Sequence, residues 1–149
     1  MYSFTITTDI DAPTACVWRA LCDPAEVVRW DTGVAGAIDA PADYPRPGQH
    51  VRWRYAARPF RTLHDRPQEV VAGRTLRSLI SIGPLRFDET YTLDRVGSVT
   101  RLSTSMRVFV PLLLGGPLTE RLYAGPESRR TVAGSMAALK RYCEGATRT

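Results

Sequence analysis

One carboxyl in this chain sits in an apolar sequence setting that would suit proton transfer. Glu89 lies between Phe87 and Tyr91, and Phe87, Glu89, Tyr91 and Leu93 share one parity. On a strand, shared parity means a shared face. If that face is buried, the carboxyl loses hydration and its pKa rises, which suits a general acid or base near neutral pH. The alternative is a Glu at a sheet edge that reaches solvent or pairs with an arginine. Tyr91 and Tyr55 are its candidate helpers. A phenol can donate to a ligand carbonyl or to a developing enolate, or it can be a core aromatic with its hydroxyl at the rim.

His64 stands next to Asp65, and a histidine beside a carboxylate is a proton-transfer pair in principle. Neighbours on a strand point to opposite faces, so these two cannot readily pair with each other. Ile80, Phe87, Met106 and Val108 fall on the apolar parity of their strands, with Trp53 beside Tyr55 and Met136 on the last helix. All are expected as walls around a bound molecule. Trp30 is either such a wall or a structural anchor. Thr104 is either a polar contact or simply a good strand residue. If the parity of Val51–Tyr55 is reversed, Arg52 and Arg54 enter the interior instead and favour an anionic ligand.

Other chemistries are poorly served. The three cysteines, Cys16, Cys22 and Cys143, show no paired spacing, and only His50 and His64 could join them as soft ligands. No metal site and no disulfide framework is expected. There is no Gly-rich nucleotide loop, so no cofactor is expected. Lys140 is the sole lysine and sits beside Arg141, a poor place for Schiff-base catalysis. The net charge of +5 comes from scattered arginines, many alternating with apolar residues. That pattern reads as a solvated sheet face rather than a nucleic-acid footprint. The opening MYSFTITTDI is not a signal peptide, and the longest apolar run, Val108 to Leu118, is shorter than the about 20 residues that span a bilayer. A cytoplasmic location is expected.

The elements that must position these residues follow from periodicity. Phe4, Ile6, Thr8 and Ile10 form the inward face of a first strand. Pro13 opens a short helix. Asp23-Pro24-Ala25-Glu26 reads as an N-cap, a first helical residue and a capping box for a second helix ending near Trp30. A Pro- and Gly-rich stretch from Gly33 to Gly48 is loop with a short edge strand near Val34 to Ile38. Strands are then expected at Val51–Tyr55, Thr62–Val71, Leu76–Ile82, Phe87–Leu93 and Leu102–Val110, with Pro67 marking an edge or a bulge. Val132, Met136, Leu139 and Cys143 recur at helical spacing, in a long helix that Pro126 starts and Gly145 ends. The fold class is therefore α+β: a curved antiparallel sheet wrapped around one long C-terminal helix, two short helices after the first strand, and an internal cavity.

Three stretches carry a family resemblance. They are Ile10-Asp11-Ala12-Pro13 through Val17-Trp18-Arg19-Ala20-Leu21 to Trp30; Pro47-Gly48 into Val51–Tyr55 with Glu69-Val70-Val71-Ala72-Gly73-Arg74-Thr75-Leu76; and Ala138-Leu139-Lys140-Arg141-Tyr142-Cys143-Glu144. Together they resemble the SRPBCC superfamily of START, birch-allergen-like and polyketide cyclase/dehydratase proteins. The resemblance implies a helix-grip fold as one START-like domain over residues 1–149. It also implies a hydrophobic small-molecule ligand, held either by a cyclase/dehydratase of specialised metabolism or by a non-catalytic carrier or sensor of a lipid-like molecule. Pro126 departs from the unbroken helix of many relatives. An acyl carrier protein is a further expected partner, and the chain is expected as a monomer or homodimer.

Overall fold

The computed structural model describes residues 1–147. The chain runs β1 (Tyr2–Ile10), α1 (Thr14–Cys22), α2 (Pro24–Trp30), β2 (Val34–Ala37), β3 (Val51–Tyr55), β4 (Thr62–Val71), β5 (Thr75–Ile82), β6 (Leu85–Val96) and β7 (Val99–Phe109). A 3₁₀ turn at Leu112–Leu114 follows, then α3 (Gly116–Thr119), a π turn (Glu120–Ala124) and α4 (Gly125–Thr147). All seven strands form one antiparallel sheet in the order β1-β7-β6-β5-β4-β3-β2. β1 and β2 lie at opposite edges, so α1 and α2 carry the chain across the sheet, and α4 lies over the same face.

Local chemistry sets the helix boundaries. Asp23 caps α2 by accepting from the Ala25 N–H at 2.9 Å, with Pro24 in the first turn. The reciprocal half of the expected capping box is absent. Glu26 instead accepts from Arg19 and from the Tyr142 hydroxyl, each at 2.8 Å, and so ties α2 to α1 and α4. Pro13 occupies the cap position of α1 rather than its first turn. Gly145 does not end α4, which continues to Thr147. Pro126 does not break the helical run either. Its nitrogen cannot donate to the preceding turn, and that turn widens into a π turn in which the Gly125 N–H reaches the Glu120 carbonyl.

The expected bulge lies in β4, between Pro67 and Glu69. One extra residue changes the parity, so Leu63, Asp65 and Pro67 face inward before it and Val70 after it. At the closed end of the fold Met136, Leu139 and Cys143 of α4 pack on Ile10, Leu21, Leu76, Leu93 and Leu102. At the other end Phe4, Ile82, Phe87, Met106 and Val108 form a second cluster, joined by Phe60 and Val132. The apolar run after β7 stays outside, with Leu113 98% exposed. Among the described residues no helix is long and apolar enough to cross a membrane.

Candidate functional site

Between the two clusters the sheet does not close on α4, and a cavity of about 550 Å³ remains. Its floor comes from β5, β6 and β7 through Ile80, Phe87, Glu89, Tyr91 and Met106. Its roof is Val132, Ser135, Met136 and Leu139 of α4, and Trp30 and Asp31 close one side. The loop from Ala56 to Phe60 and the start of α4 at Glu127 and Ser128 form the mouth. A smaller chamber of about 60 Å³ continues from it, sharing Trp30, Asp31, Leu63, Ile80, Glu89 and Tyr91 and adding Tyr44, Trp53, Asp65 and Ser78.

The register explains which side chains meet. Glu89 pairs with Ser78 on one side and Met106 on the other, while Phe87 pairs with Ile80 and Val108. Ile80 in turn pairs with Asp65, so the β4 acid lies on the same inward face as the β6 acid. Glu89 therefore faces an apolar cavity. Burial pushes its pKa up to about 8, the charges of Asp31 and Asp65 push the same way, and a hydrogen bond from Tyr91 opposes them. Burial and the neighbouring Glu89 hold the Tyr91 phenol well above its usual range. Tyr55 also lines the cavity, its pKa raised chiefly by burial.

Trp30, Ile80, Phe87, Met106 and Met136 line the main cavity with Glu89, Tyr91 and Tyr55. Trp30 is also an anchor, its indole N–H donating to the Ala20 carbonyl at 2.7 Å. Four expected residues lie elsewhere. Trp53 lines only the small chamber, where its ring stands edge-on to Tyr44 and its N–H reaches Asp65 Oδ2 at 3.2 Å. Val108 is fully buried in the core beside Phe87, its cross-strand partner, and lines neither cavity. Thr104 is fully buried, and its hydroxyl has no hydrogen-bond partner among the described residues. His64 lies on the opposite face from Asp65, with Nδ1 2.8 Å from His50 Nε2. Alternation along β4 forces this: once Leu63 faces in, His64 must face out. Arg52 and Arg54 are likewise outside, Arg52 paired with Asp39 at 2.8 Å. Lys140 donates to the Asp9 carbonyl and to Glu144, remote from the cavity wall.

Two acids went unrecognised in the sequence. Asp31, just past α2, lines the cavity, accepts from the Gly33 N–H at 2.9 Å, and has its pKa raised by burial. Asp65 is only 5% exposed and also has a burial-raised pKa, with Tyr44, Ser78 and Trp53 opposing. Its signal was its shared parity with the apolar Leu63. Asp31 had no comparable signal, because it reads as an ordinary residue after a helix.

No protein-family model matches the sequence, and no curated protein matches it. Solved structures share its architecture. Protein CV1439 from Chromobacterium violaceum superposes with a TM-score of 0.73 at 19% identity, covering 96% of this chain and 97% of that one. The Aha1 dimer structure from Colwellia psychrerythraea gives 0.74 at 12% identity, covering 97% of each chain. The fold is a helix grip. DynU16, from the dynemicin biosynthetic locus, gives 0.69 at 23% identity over 97% of this chain, which spans 48% of DynU16. At such identities the likeness is one of fold.

Proposed function

We propose that this chain is a single-domain SRPBCC-type protein that takes an apolar small molecule into its cavity and, as a polyketide cyclase/dehydratase, promotes ring closure. The observation that carries this function is Glu89, set with Tyr91 in the wall of an apolar chamber of about 550 Å³. That volume lies in the range of small-molecule sites, commonly ~300–1,000 Å³. The place of DynU16 in a biosynthetic locus supports a role in specialised metabolism.

Ring closure of a poly-carbonyl chain needs a proton taken from an activated carbon and one returned to oxygen. The ionised Glu89 takes the carbon-bound proton, and the carbanion attacks a second carbonyl carbon. The new alkoxide recovers that proton from the Glu89 carboxyl. Where water is then lost, Glu89, ionised again, takes a second carbon-bound proton and passes it to the departing hydroxyl, which leaves as water. No oxidant or reductant is consumed. A pKa of about 8 leaves the carboxyl able to serve in both forms near neutral pH. Tyr91 and Tyr55 donate to carbonyl oxygens, and the walls hold one folded conformer of the chain. The exposed Arg58 and Arg61 beside the mouth would meet an acidic carrier protein delivering the substrate.

The test is turnover of a linear poly-β-ketone thioester. Glu89→Gln should lower the rate by about 10²-fold or more while leaving affinity nearly unchanged. An unaltered rate would remove Glu89 from the chemistry. Tight binding of apolar ligands with no turnover by the unmodified protein would make it a carrier.

A further inference from the structure

We infer that the small chamber is a seat for a protonated amine, so that the ligand is an apolar molecule with a cationic nitrogen at its leading end. This rests on the proposed role of the main cavity, which would hold the apolar remainder.

The chamber is small, about 60 Å³ against about 550 Å³ for the main cavity, and suits a compact polar head group with its apolar remainder next door. Its acceptors are unbalanced. Asp65 Oδ2 takes the Tyr44 hydroxyl at 2.6 Å and the Trp53 N–H at 3.2 Å. Asp65 Oδ1, in a residue 5% exposed, has no hydrogen-bond partner among the described residues. The Ser78 hydroxyl lies near Asp65 and opposes the rise in its pKa. A buried acceptor without a donor is destabilising, so a ligand donor is favoured there.

The electrostatics are equally one-sided. Asp31 and Glu89 line the same chamber, and among the described residues no arginine or lysine does. Among the described residues the main cavity holds one basic side chain, Arg58, on the mouth loop. Among the described residues no three acidic, His or Cys side chains converge closely enough to hold a metal ion. These carboxyls surround a space larger than a bare ion requires. An ammonium brings three N–H donors and the missing charge. An alcohol brings one donor and no charge, and a carboxylate would meet three acids. Each acid has its pKa raised, and a cation would draw all three down. The other titratable groups near the chamber, Tyr44, Tyr91 and Cys22, are held above their usual ranges and stay neutral. Amine affinity should therefore rise between pH 5 and pH 8.

Isothermal titration of the full chain with decylamine, 1-decanol and decanoate at pH 7.5 decides the matter. Decylamine should bind at least about 10-fold more tightly than decanol, with decanoate weakest. Asp65→Asn should erase the preference for the amine, and Asp31→Asn should reduce it if the Asp65 variant does not fold. Decanol or decanoate binding as tightly as the amine would overturn the ammonium seat and leave the apolar cavity intact. No binding of any of the three would remove both.

Discussion

The Tyr44 hydroxyl donates to Asp65 Oδ2 at 2.6 Å, so a residue of the long loop between β2 and β3 holds an acid in the middle of the sheet. The same ring stands edge-on to Trp53 at 5.5 Å, and Trp53 donates to the same oxygen. Tyr44→Phe keeps the ring and removes the stronger donor. The expected loss is about 1–2 kcal/mol, read from urea unfolding at pH 7. Unchanged stability would mean that water replaces the phenol at no cost and that the loop is not held by this bond.

Glu89 should make the fold less stable in alkali. Its folded pKa of about 8 lies above the ordinary carboxyl value, so its contribution favours the fold in acid and is lost as pH rises to 8. Glu89→Gln stays neutral throughout. Unfolding at pH 5, 7 and 9 should show the wild type losing stability relative to this variant. The difference should reach a few kcal/mol, at about 1.4 kcal/mol per pKa unit before water in the cavity screens the charge. Asp31 and Asp65 have the same sign, so the variant should keep a smaller decline. Parallel pH profiles for the two proteins would show that Glu89 is well solvated.

The acid limb has a different origin. Asp88 lies on the outer face, where Arg77 forks onto it at 3.0 and 2.9 Å and Arg107 stands 3.5 Å away. The Arg77 hydrogen bonds hold its carboxyl below the usual range. Its contribution is therefore present above the ordinary carboxylate pKa and is lost as pH falls through the depressed value. Asp88→Asn should lower stability at pH 7 by about 1 kcal/mol, the modest value reflecting a half-exposed arginine. The deficit should shrink below pH 3. A deficit that persists at pH 2 would show that packing, not charge, made the difference.

The strands, the two early helices and the inward parity of Glu89 and Tyr91 were legible because period-2 alternation is strong in Val51–Tyr55 and Phe87–Leu93. The course of the chain through Pro126 was not, because a π turn has no periodic signature. The site was half legible. Inward carboxyls on apolar strands stand out, whereas Asp31 enters the cavity from the end of a helix and Asp65 from a strand whose parity a bulge changes. Pairing register, which sets Ile80 against Asp65, depends on contacts between distant segments. Trp53, Thr104 and Val108 share the apolar parity yet miss the main cavity, since one sheet face serves both core and cavity wall.

Two glycines of the last helix should respond oppositely to the same change. Gly125 has ordinary helical angles, φ −64° and ψ −58°, so alanine fits its backbone. A Cβ there would lie against Cγ of the Tyr2 ring and the Glu120 carbonyl oxygen, both far inside contact distance. Neither is the free end of a flexible chain, so α4 would have to lift from β1 where the π turn meets the sheet. Gly134 is exposed, in mid-helix, and a Cβ there meets nothing within 4 Å. Gly125→Ala should cost about 1–3 kcal/mol by overpacking, and Gly134→Ala should stabilise by about 1 kcal/mol through helix propensity. Thermal melts should thus shift in opposite directions, by roughly 2–4 °C per kcal/mol for a chain of this size. A neutral Gly125→Ala would mean that the helix start slides along β1 at little cost, and the mouth of the cavity would then be a movable edge rather than a fixed one.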